Sequence, residues 1–224
     1  MQKFILNKSI QKKLRQFILG GSRERKLSHL YYNIINKEKF KNIKILDFGS
    51  GFNPIIAKSL YKRLVKKQKV EIDCFDFYSK KEIKDLQKKN QKINFFKLKD
   101  INKVKLKKYD FAIISDVLHH IENIDDQKVI KVLKSIKRVC KFIIIKDQFE
   151  KDLFSRYRLI FMDFFGNYFT GTLIPKKYFN KNKFSKILKN TNLKVLFKKE
   201  SIKLYSKKFL FFSDPTLHFV YLLK

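Results

Sequence analysis

Two glycines and several carboxylates are spaced in this chain as in a nucleoside-binding pocket. The run ILDFGSG, residues 45–51, starts as an apolar strand, carries Asp47 near its end and turns through Gly49 and Gly51. Pro54 suits the first turn of a following helix, where its missing N–H costs nothing. A parallel sheet binds a nucleotide at such a strand–turn–helix junction. Because Pro54 replaces the third glycine of the dinucleotide pattern, the turn is less suited to a pyrophosphate.

Further carboxylates follow the next two predicted strands. Asp76 ends the second strand, where a carboxylate can accept hydrogen bonds from two ribose hydroxyls. Asp73 is the alternative for that role, and a helix cap is the alternative for Asp76. Phe77 is placed to pack against an adenine. Asp100 ends the third strand, where it would accept from the exocyclic amine of adenine or cap a turn.

The fourth predicted strand leads into polar groups that can move protons. It runs YDFAIIS and continues as Asp116, Val117, Leu118, His119 and His120. General-base candidates at the strand ends are His119, His120 and Asp147. For His120 the alternative is a hydrogen-bonded structural histidine, and His119 is expected to face outward or to pack.

The elements that must position these residues alternate between strand and helix. Alternation of this kind predicts an α/β fold with a parallel sheet and right-handed crossovers. We expect a Rossmann-like, doubly wound sheet of seven strands, mostly parallel, with helices on both faces and an antiparallel last strand at the edge. The predicted strands are residues 43–48, 70–75, 93–98, 110–115, 142–145 and 193–197, with a final region at 209–212 and 217–223; the predicted helices are 54–65, 81–89, 125–139 and 182–188.

Two segments flank or interrupt this alternation. Residues 1–40 form a predicted helical arm, with helices over 3–19 and 23–35, that either covers the pocket as a lid or packs on the sheet. Residues 41–224 would form the main domain, with an aromatic-rich insertion at 147–179. The insertion would supply an acceptor pocket, an apolar patch resting on a membrane, or a helix packed on the sheet edge. Asp163 and Asn167 lie one helical turn apart in it.

Composition restricts the partners and the compartment. The net charge of +33 comes mostly from scattered lysines, which is typical of AT-rich coding or of a protein with an anionic partner. Cys74 and Cys140 lie in apolar runs and are expected to be reduced core residues, and no zinc pattern is present. The first residues are too broken by lysine for a secretory signal, so a cytoplasmic protein is expected, with contact to an anionic membrane surface as an option.

Four motifs together resemble the class I S-adenosylmethionine-dependent methyltransferases, particularly the branch acting on small molecules and lipids. They are ILDFGSG, CFDF, KLKD and YDFAIISDVLHHIEN. The chain departs from the family at residues 52–54, where many relatives have a small residue and another glycine. The resemblance implies S-adenosylmethionine as cofactor. It also implies these sites: Asp47, Gly49, Ser50 and Gly51 at the methionine end, Asp76 and Phe77 at the ribose and adenine, Asp100 and Ile101 beside the adenine, and Asp116, Val117 and His120 at the floor between cofactor and acceptor.

The predicted activity is methyl transfer to a small-molecule or lipid acceptor, on oxygen or nitrogen. His120, Asp147 and Asp116 are the candidate catalytic residues, and no metal is predicted. The first alternative is an RNA methyltransferase. The positive charge favours it, but no segment after the fourth strand of this sequence is suited to hold a flipped base. The second is a non-catalytic adenosyl-binding or membrane-associated scaffold. The third, a dinucleotide-dependent oxidoreductase, is disfavoured by Pro54.

Overall fold

One seven-stranded sheet organises the protein. The computed structural model describes residues 22–98, 108–121, 125–167, 174–205 and 214–224. The strand order is β3-β2-β1-β4-β5-β7-β6. The strands are β1 (Asn42–Phe48), β2 (Lys69–Asp76), β3 (Asn94–Lys97), β4 (Tyr109–Ser115), β5 (Cys140–Gln148), β6 (Val195–Glu200) and β7 (His218–Leu223).

The sheet is parallel except for its last strand. β1 pairs in parallel with both β2 and β4, and β5 pairs in parallel with β4. β7 runs antiparallel to β5 on one side and to β6 on the other. The predicted antiparallel last strand is therefore confirmed, but its predicted position at the edge is wrong. β7 is fully buried between two strands, and β6, whose residues are mostly exposed, forms the edge.

Helices cover both faces of the sheet, as predicted for a doubly wound fold. α1, α2 and α3 pack on one face, where Tyr31 and Leu60 join the buried side chains of β1 and β2. α4 and α6 pack on the other face, where Leu133 and Phe184 meet β4 and β5. The helices are α1 (Ser22–Asn36), α2 (Ile55–Leu64), α3 (Lys80–Lys89), α4 (Asp126–Val139), α5 (Leu153–Asn167) and α6 (Lys181–Asn190).

Local sequence explains where these helices begin. Ser79 and Glu82 form a capping box at the start of α3, and Asp125 accepts two backbone N–H groups at the start of α4. α4 then buries Val129, Leu133 and Ile136, which recur at helical spacing. These signals lie within a few residues of each other, so both helices were predicted nearly to their bounds.

Other predictions have mixed outcomes. β5 extends three residues beyond its predicted end, so Asp147 lies inside a buried strand rather than after it. Cys74 and Cys140 are buried and unpaired, as predicted. The helix over 3–19, the strand over 209–212, Asp100 and Ile101 lie outside the described residues. The boundary at residue 40 and the insertion over 147–179 stay predictions. Among the described helices, none is long and apolar enough to cross a membrane.

Candidate active site

The site forms where the strand order reverses direction. Chain connections leave β1 toward β2 on one side and reach β4 on the other, which opens a crevice at the carboxyl ends of these strands. Gly49 follows β1 with φ +77°, and a Cβ there would lie 2.3 Å from Val117 Cγ2 beyond β4. Glycine is therefore required at this position both by backbone conformation and by the close approach of Val117.

The glycine turn is tied to the end of β2. The Gly49 N–H donates to the Phe75 carbonyl at 2.8 Å, and the Gly51 N–H donates to Asp76 Oδ2 at 2.6 Å. The Tyr78 hydroxyl donates to the Gly51 carbonyl at 2.8 Å and lies 2.6 Å from Ser50 Oγ. Tyr78 was not predicted as part of the site. Its nearness to Asp76 in the chain was the available signal.

Asp47 is a buried carboxylate on the floor of this crevice. It is 4% exposed, and within the described residues its hydrogen-bond donor is the weak Cys74 thiol at 4.0 Å. Burial, and then the negative charge of Asp76, raise the pKa of Asp47 to about 7. A positively charged ligand group beside Asp47 would remove this cost of burying an anion.

The two candidates for the ribose role have different surroundings. Asp73 is fully buried and accepts from Asn94 Nδ2 and from the Tyr109 hydroxyl, each at 2.7 Å. These contacts tie β2 to β3 and β4, and a ribose would have to compete with them for the Asp73 carboxylate. Asp76 is half-buried at the strand end, and its second oxygen accepts from the Phe77 N–H at 2.7 Å. Phe77 is 81% exposed beside it.

Asp116 is held between two cations. Its carboxylate pairs with Arg23 of α1 through one oxygen and with Lys146 of β5 through the other. Burial alone would raise the pKa of Asp116, but the charges of Lys146 and Arg23 hold that pKa well below its usual range. A carboxylate so firmly ionised is a poor proton acceptor, so the geometry does not favour Asp116 as a catalytic base.

The same network fixes α1 against the site. The Tyr31 hydroxyl of α1 lies 2.6 Å from Ser115 Oγ at the end of β4. Asp116 itself has φ +53°, a left-handed conformation that aspartate and asparagine tolerate better than most residues. The contribution of Arg23 and Lys146 was not predicted. For Lys146 the signal was a charged residue inside an apolar strand.

A second polar cluster lies beside the first. His119 Nδ1 lies 2.5 Å from Asp147 Oδ1, and His119 Nε2 lies 3.2 Å from Asp163 Oδ2. Burial alone would lower the pKa of His119, but Asp147 and then Asp163 raise it to about 10. The Tyr178 hydroxyl donates to the same oxygen of Asp163 at 2.5 Å. His119 is thus packed and fully buried, not turned outward.

The remaining predicted residues surround these clusters. The half-buried ring of His120 lies 4.1 Å from the ring of His119, centroid to centroid. α5 brings Asp163 to His119, whereas the side chain of Asn167, one helical turn further on, lies outside the described residues. Tyr178 was missed because it reaches the cluster from a distant loop. The structure therefore brings these predicted residues to one end of the sheet: Asp47, Gly49, Ser50, Gly51, Asp76, Phe77, Asp116, Val117, His120 and Asp147.

The sheet order and the glycine turn at its switch point define a Rossmann-like protein of the class I methyltransferase type. The chain belongs to the methyltransferase-domain family, whose model matches residues 20–197. No curated protein matches the sequence significantly.

Solved structures share this fold at low sequence identity. An O-methyltransferase family 2 protein from Planctomyces limnophilus, in complex with apigenin, superposes with a TM-score of 0.55 at 11% identity, over 81% of this chain and 50% of that one. This chain therefore spans about half the length of that relative. A putative sarcosine dimethylglycine methyltransferase from Galdieria sulphuraria gives 0.59 at 14% identity, over 88% and 84%.

A third structure matches over nearly the full length of both chains. It is a cyclopropane-fatty-acyl-phospholipid synthase-like protein from Lactobacillus casei, with a TM-score of 0.59 at 9% identity, over 90% of this chain and 91% of that one. Neither the family model nor these structures support the RNA alternative.

Proposed function

We propose that the protein transfers a methyl group from S-adenosylmethionine to a small-molecule or lipid acceptor, at oxygen or nitrogen. The observation that carries this proposal is the pair of carboxylates at the ends of β1 and β2. Asp47 is buried with a pKa raised to about 7, and Asp76 lies beside it at the rim. Asp47 would pair with the amino group of the cofactor, and Asp76 would bind its ribose.

Asp76 and Phe77 would bind the ribose and the adenine of the cofactor. Each oxygen of the Asp76 carboxylate can accept two hydrogen bonds. In the structure one oxygen accepts from the Gly51 N–H and the other from the Phe77 N–H. Ribose hydroxyls can therefore donate to the same carboxylate. The exposed ring of Phe77 offers an apolar surface for adenine. Asp100 and Ile101 stay predicted contacts of the adenine.

Catalysis requires little beyond positioning. The sulfonium of the bound cofactor supplies an already activated methyl group. The protein must hold the acceptor in line at near-attack distance, which Val117 and the polar cluster beyond β4 are placed to do. A hydroxyl or ammonium acceptor must also lose a proton. Of the predicted bases, half-buried His120 is better placed than Asp116, which two cations hold, or Asp147, which is buried against His119.

Removing the carboxylate of Asp76 is expected to weaken cofactor binding. Asp76→Ala should cost about 1–3 kcal/mol of binding free energy, because ribose hydroxyls and the Gly51 N–H lose their acceptor. Calorimetric titration with S-adenosylmethionine measures this loss. Asp73→Asn is the matched control: it disturbs the contacts with Asn94 and Tyr109, so it should lower stability and leave affinity nearly unchanged. Equal affinity of Asp76→Ala and the unaltered protein for S-adenosylmethionine would show that Asp76 does not bind the ribose.

A row of exposed apolar side chains on α5 favours a lipid acceptor over a freely dissolved one. Leu153, Phe154 and Tyr157 are 64%, 67% and 67% exposed. Phe161 and Phe164, also exposed, continue the row along the helix. The net charge of +33 would attract an anionic bilayer, and aromatic residues on a surface helix insert at the headgroup level. We therefore propose that α5 rests on an anionic membrane surface while the site faces its acceptor.

Vesicle binding tests this second proposal. The double variant Phe154→Ser/Tyr157→Ser should bind vesicles of phosphatidylglycerol and phosphatidylcholine several-fold more weakly than the unaltered protein, because it loses buried apolar area and keeps the charge. Leu196→Ser removes an exposed apolar side chain from the edge strand β6, away from α5, and serves as control. Flotation with the vesicles gives the bound fraction. Identical flotation of all three proteins would leave charge alone as the cause of binding and refute the role of α5.

A further inference from the structure

Three side chains converge beyond the end of β4 with the chemistry of a metal site. One nitrogen each of His119 and His120 and one oxygen of Asp163 lie within 4.8 Å of one another. We propose that these three residues bind a divalent transition-metal cation such as Zn²⁺, Mn²⁺ or Co²⁺. Spacing along the chain does not indicate this site, because Asp163 comes from α5 and the histidines from the short 3-10 helix Leu118–His120.

Asp147 orients His119 as a ligand. The 2.5 Å contact between Asp147 Oδ1 and His119 Nδ1 places a proton on Nδ1 and directs Nε2 toward Asp163. His119 Nε2 is fully buried and has no hydrogen bond of acceptable geometry within the described residues. In metal sites, a ligating histidine usually donates its other N–H to a carboxylate, which fixes the ring and makes the ligand more basic. Asp147 is in the position of that carboxylate.

The separation of the ligand atoms fits a cation between them. Neighbouring ligands about 2.1 Å from a metal are themselves about 3.0–3.4 Å apart, depending on whether the arrangement is octahedral or tetrahedral. His119 Nε2 and Asp163 Oδ2 are 3.2 Å apart. One nitrogen of the half-buried His120 ring lies within 4.8 Å of the other two ligand atoms. Two imidazoles and one carboxylate suit zinc, manganese, iron or cobalt better than magnesium or calcium.

Tyr178 holds the carboxylate in place without being a ligand. Its hydroxyl donates to Asp163 Oδ2 at 2.5 Å, and its ring lies 5.3 Å from that of His119, centroid to centroid. Asp163 thus has an outer partner of its own, as His119 has in Asp147. The alternative occupant of the gap between His119 Nε2 and Asp163 is a proton.

The location gives the cation a role that rests on the proposed function. The two histidines directly follow Val117, whose side chain packs against the glycine turn at Gly49, and we expect the acceptor to bind beside them. Three protein ligands leave open positions on a cation, which an oxygen atom of the acceptor would fill. The site would then select acceptors with a hydroxyl or carboxylate near the methylated atom, and His120 would act as a ligand rather than as a base.

Cobalt binding tests the site without any cofactor or acceptor. Co²⁺ is titrated into the metal-stripped full-length protein, and its visible absorption is followed. We expect saturable binding of one Co²⁺ per chain, displaced by Zn²⁺. His120→Gln and Asp163→Asn should each weaken binding roughly tenfold or more, since each removes a ligand. Circular dichroism checks that both variants remain folded.

Two further variants sharpen the test. Tyr178→Phe keeps all three ligands but removes the hydroxyl that donates to Asp163, so saturable binding should persist at reduced affinity. His29→Ala removes an exposed histidine of α1 and should leave the spectrum unchanged. Absence of saturable absorption in the unaltered protein would overturn the proposal and assign the gap to a proton. Binding that survives Asp163→Asn and His120→Gln, or is lost in His29→Ala, would overturn it as well. Because no methyl donor is present, each of these outcomes is independent of the proposed methyl transfer.

Discussion

Asp47→Asn is expected to stabilise the ligand-free protein above neutral pH while weakening its binding of S-adenosylmethionine. Burial raises the pKa of Asp47 to about 7 from an ordinary value of 3.8. A carboxyl whose pKa is higher in the folded than in the unfolded state loses stability as pH rises through that interval, because folding opposes its ionisation. Asparagine has no charge to bury and escapes this loss.

The size of the effect follows from the interval between the two pKa values. From about pH 5.5 to about pH 8.5, the unaltered protein should lose about 2 kcal/mol of unfolding free energy that Asp47→Asn keeps, at 1.36 kcal/mol per pKa unit. Urea denaturation of both proteins at the two pH values measures the difference. Asp85→Asn, on exposed α3, removes the same charge away from the crevice and should follow the unaltered protein.

The same substitution should reduce cofactor affinity about 10- to 100-fold, which corresponds to the 1.5–3 kcal/mol of a hydrogen bond to a charged group. Binding by the unaltered protein should also weaken as pH falls below about 7, since protonated Asp47 no longer attracts an ammonium group. Greater stability combined with weaker binding would show that Asp47 is retained for the ligand. A less stable variant with normal affinity would contradict this interpretation.

Asp116→Asn is expected to have the larger effect on stability. The substitution leaves Arg23 and the fully buried Lys146 facing each other without the charge that both contact. Removing one partner from a buried ion-pair network costs about 3–5 kcal/mol, because an uncompensated charge stays buried. Asparagine accepts the left-handed backbone of this position, so the variant isolates the charge from the conformation.

Calorimetric melting tests the network. For a chain of this size, a loss of that magnitude lowers the melting temperature by roughly 6–20 °C. Asp110→Asn, at the opposite end of β4 where Asp110 accepts the Lys44 N–H at 2.8 Å, removes a less buried carboxylate and should cost about 1 kcal/mol. Equal melting temperatures for the two variants would contradict a cost of this size for removing the charge that Arg23 and Lys146 share.

The parts predicted from the sequence are those that local patterns determine. Strand and helix periodicity, the glycine turn at residues 49–51 and the start of the helix near residue 125 each depend on a few neighbouring residues. The position of β7 does not. It depends on hydrogen bonds that β7 makes with both β5 and β6. A buried apolar strand has the same sequence pattern in the middle of a sheet as beside its edge, so the pattern does not show which strands are its neighbours.

The polar clusters were only partly predicted for the same reason. Asp47, Asp76 and Asp116 stand at strand ends, where the topology brings polar groups together. Arg23 and Tyr178 reach the site from a helix and a loop far away in the chain. The end of β5 was misjudged because Lys146 and Asp147 interrupt its apolar run, although ion pairs allow both to be buried.

Calorimetric titration of the purified protein with S-adenosylmethionine and, separately, with NADH tests the central claim most directly. The account predicts binding of one S-adenosylmethionine per chain and no binding of NADH, because Pro54 occupies the turn that a pyrophosphate would require. Failure to bind S-adenosylmethionine at concentrations well above cellular levels, or preferential binding of NADH, would contradict the assignment of this crevice to a methyl donor.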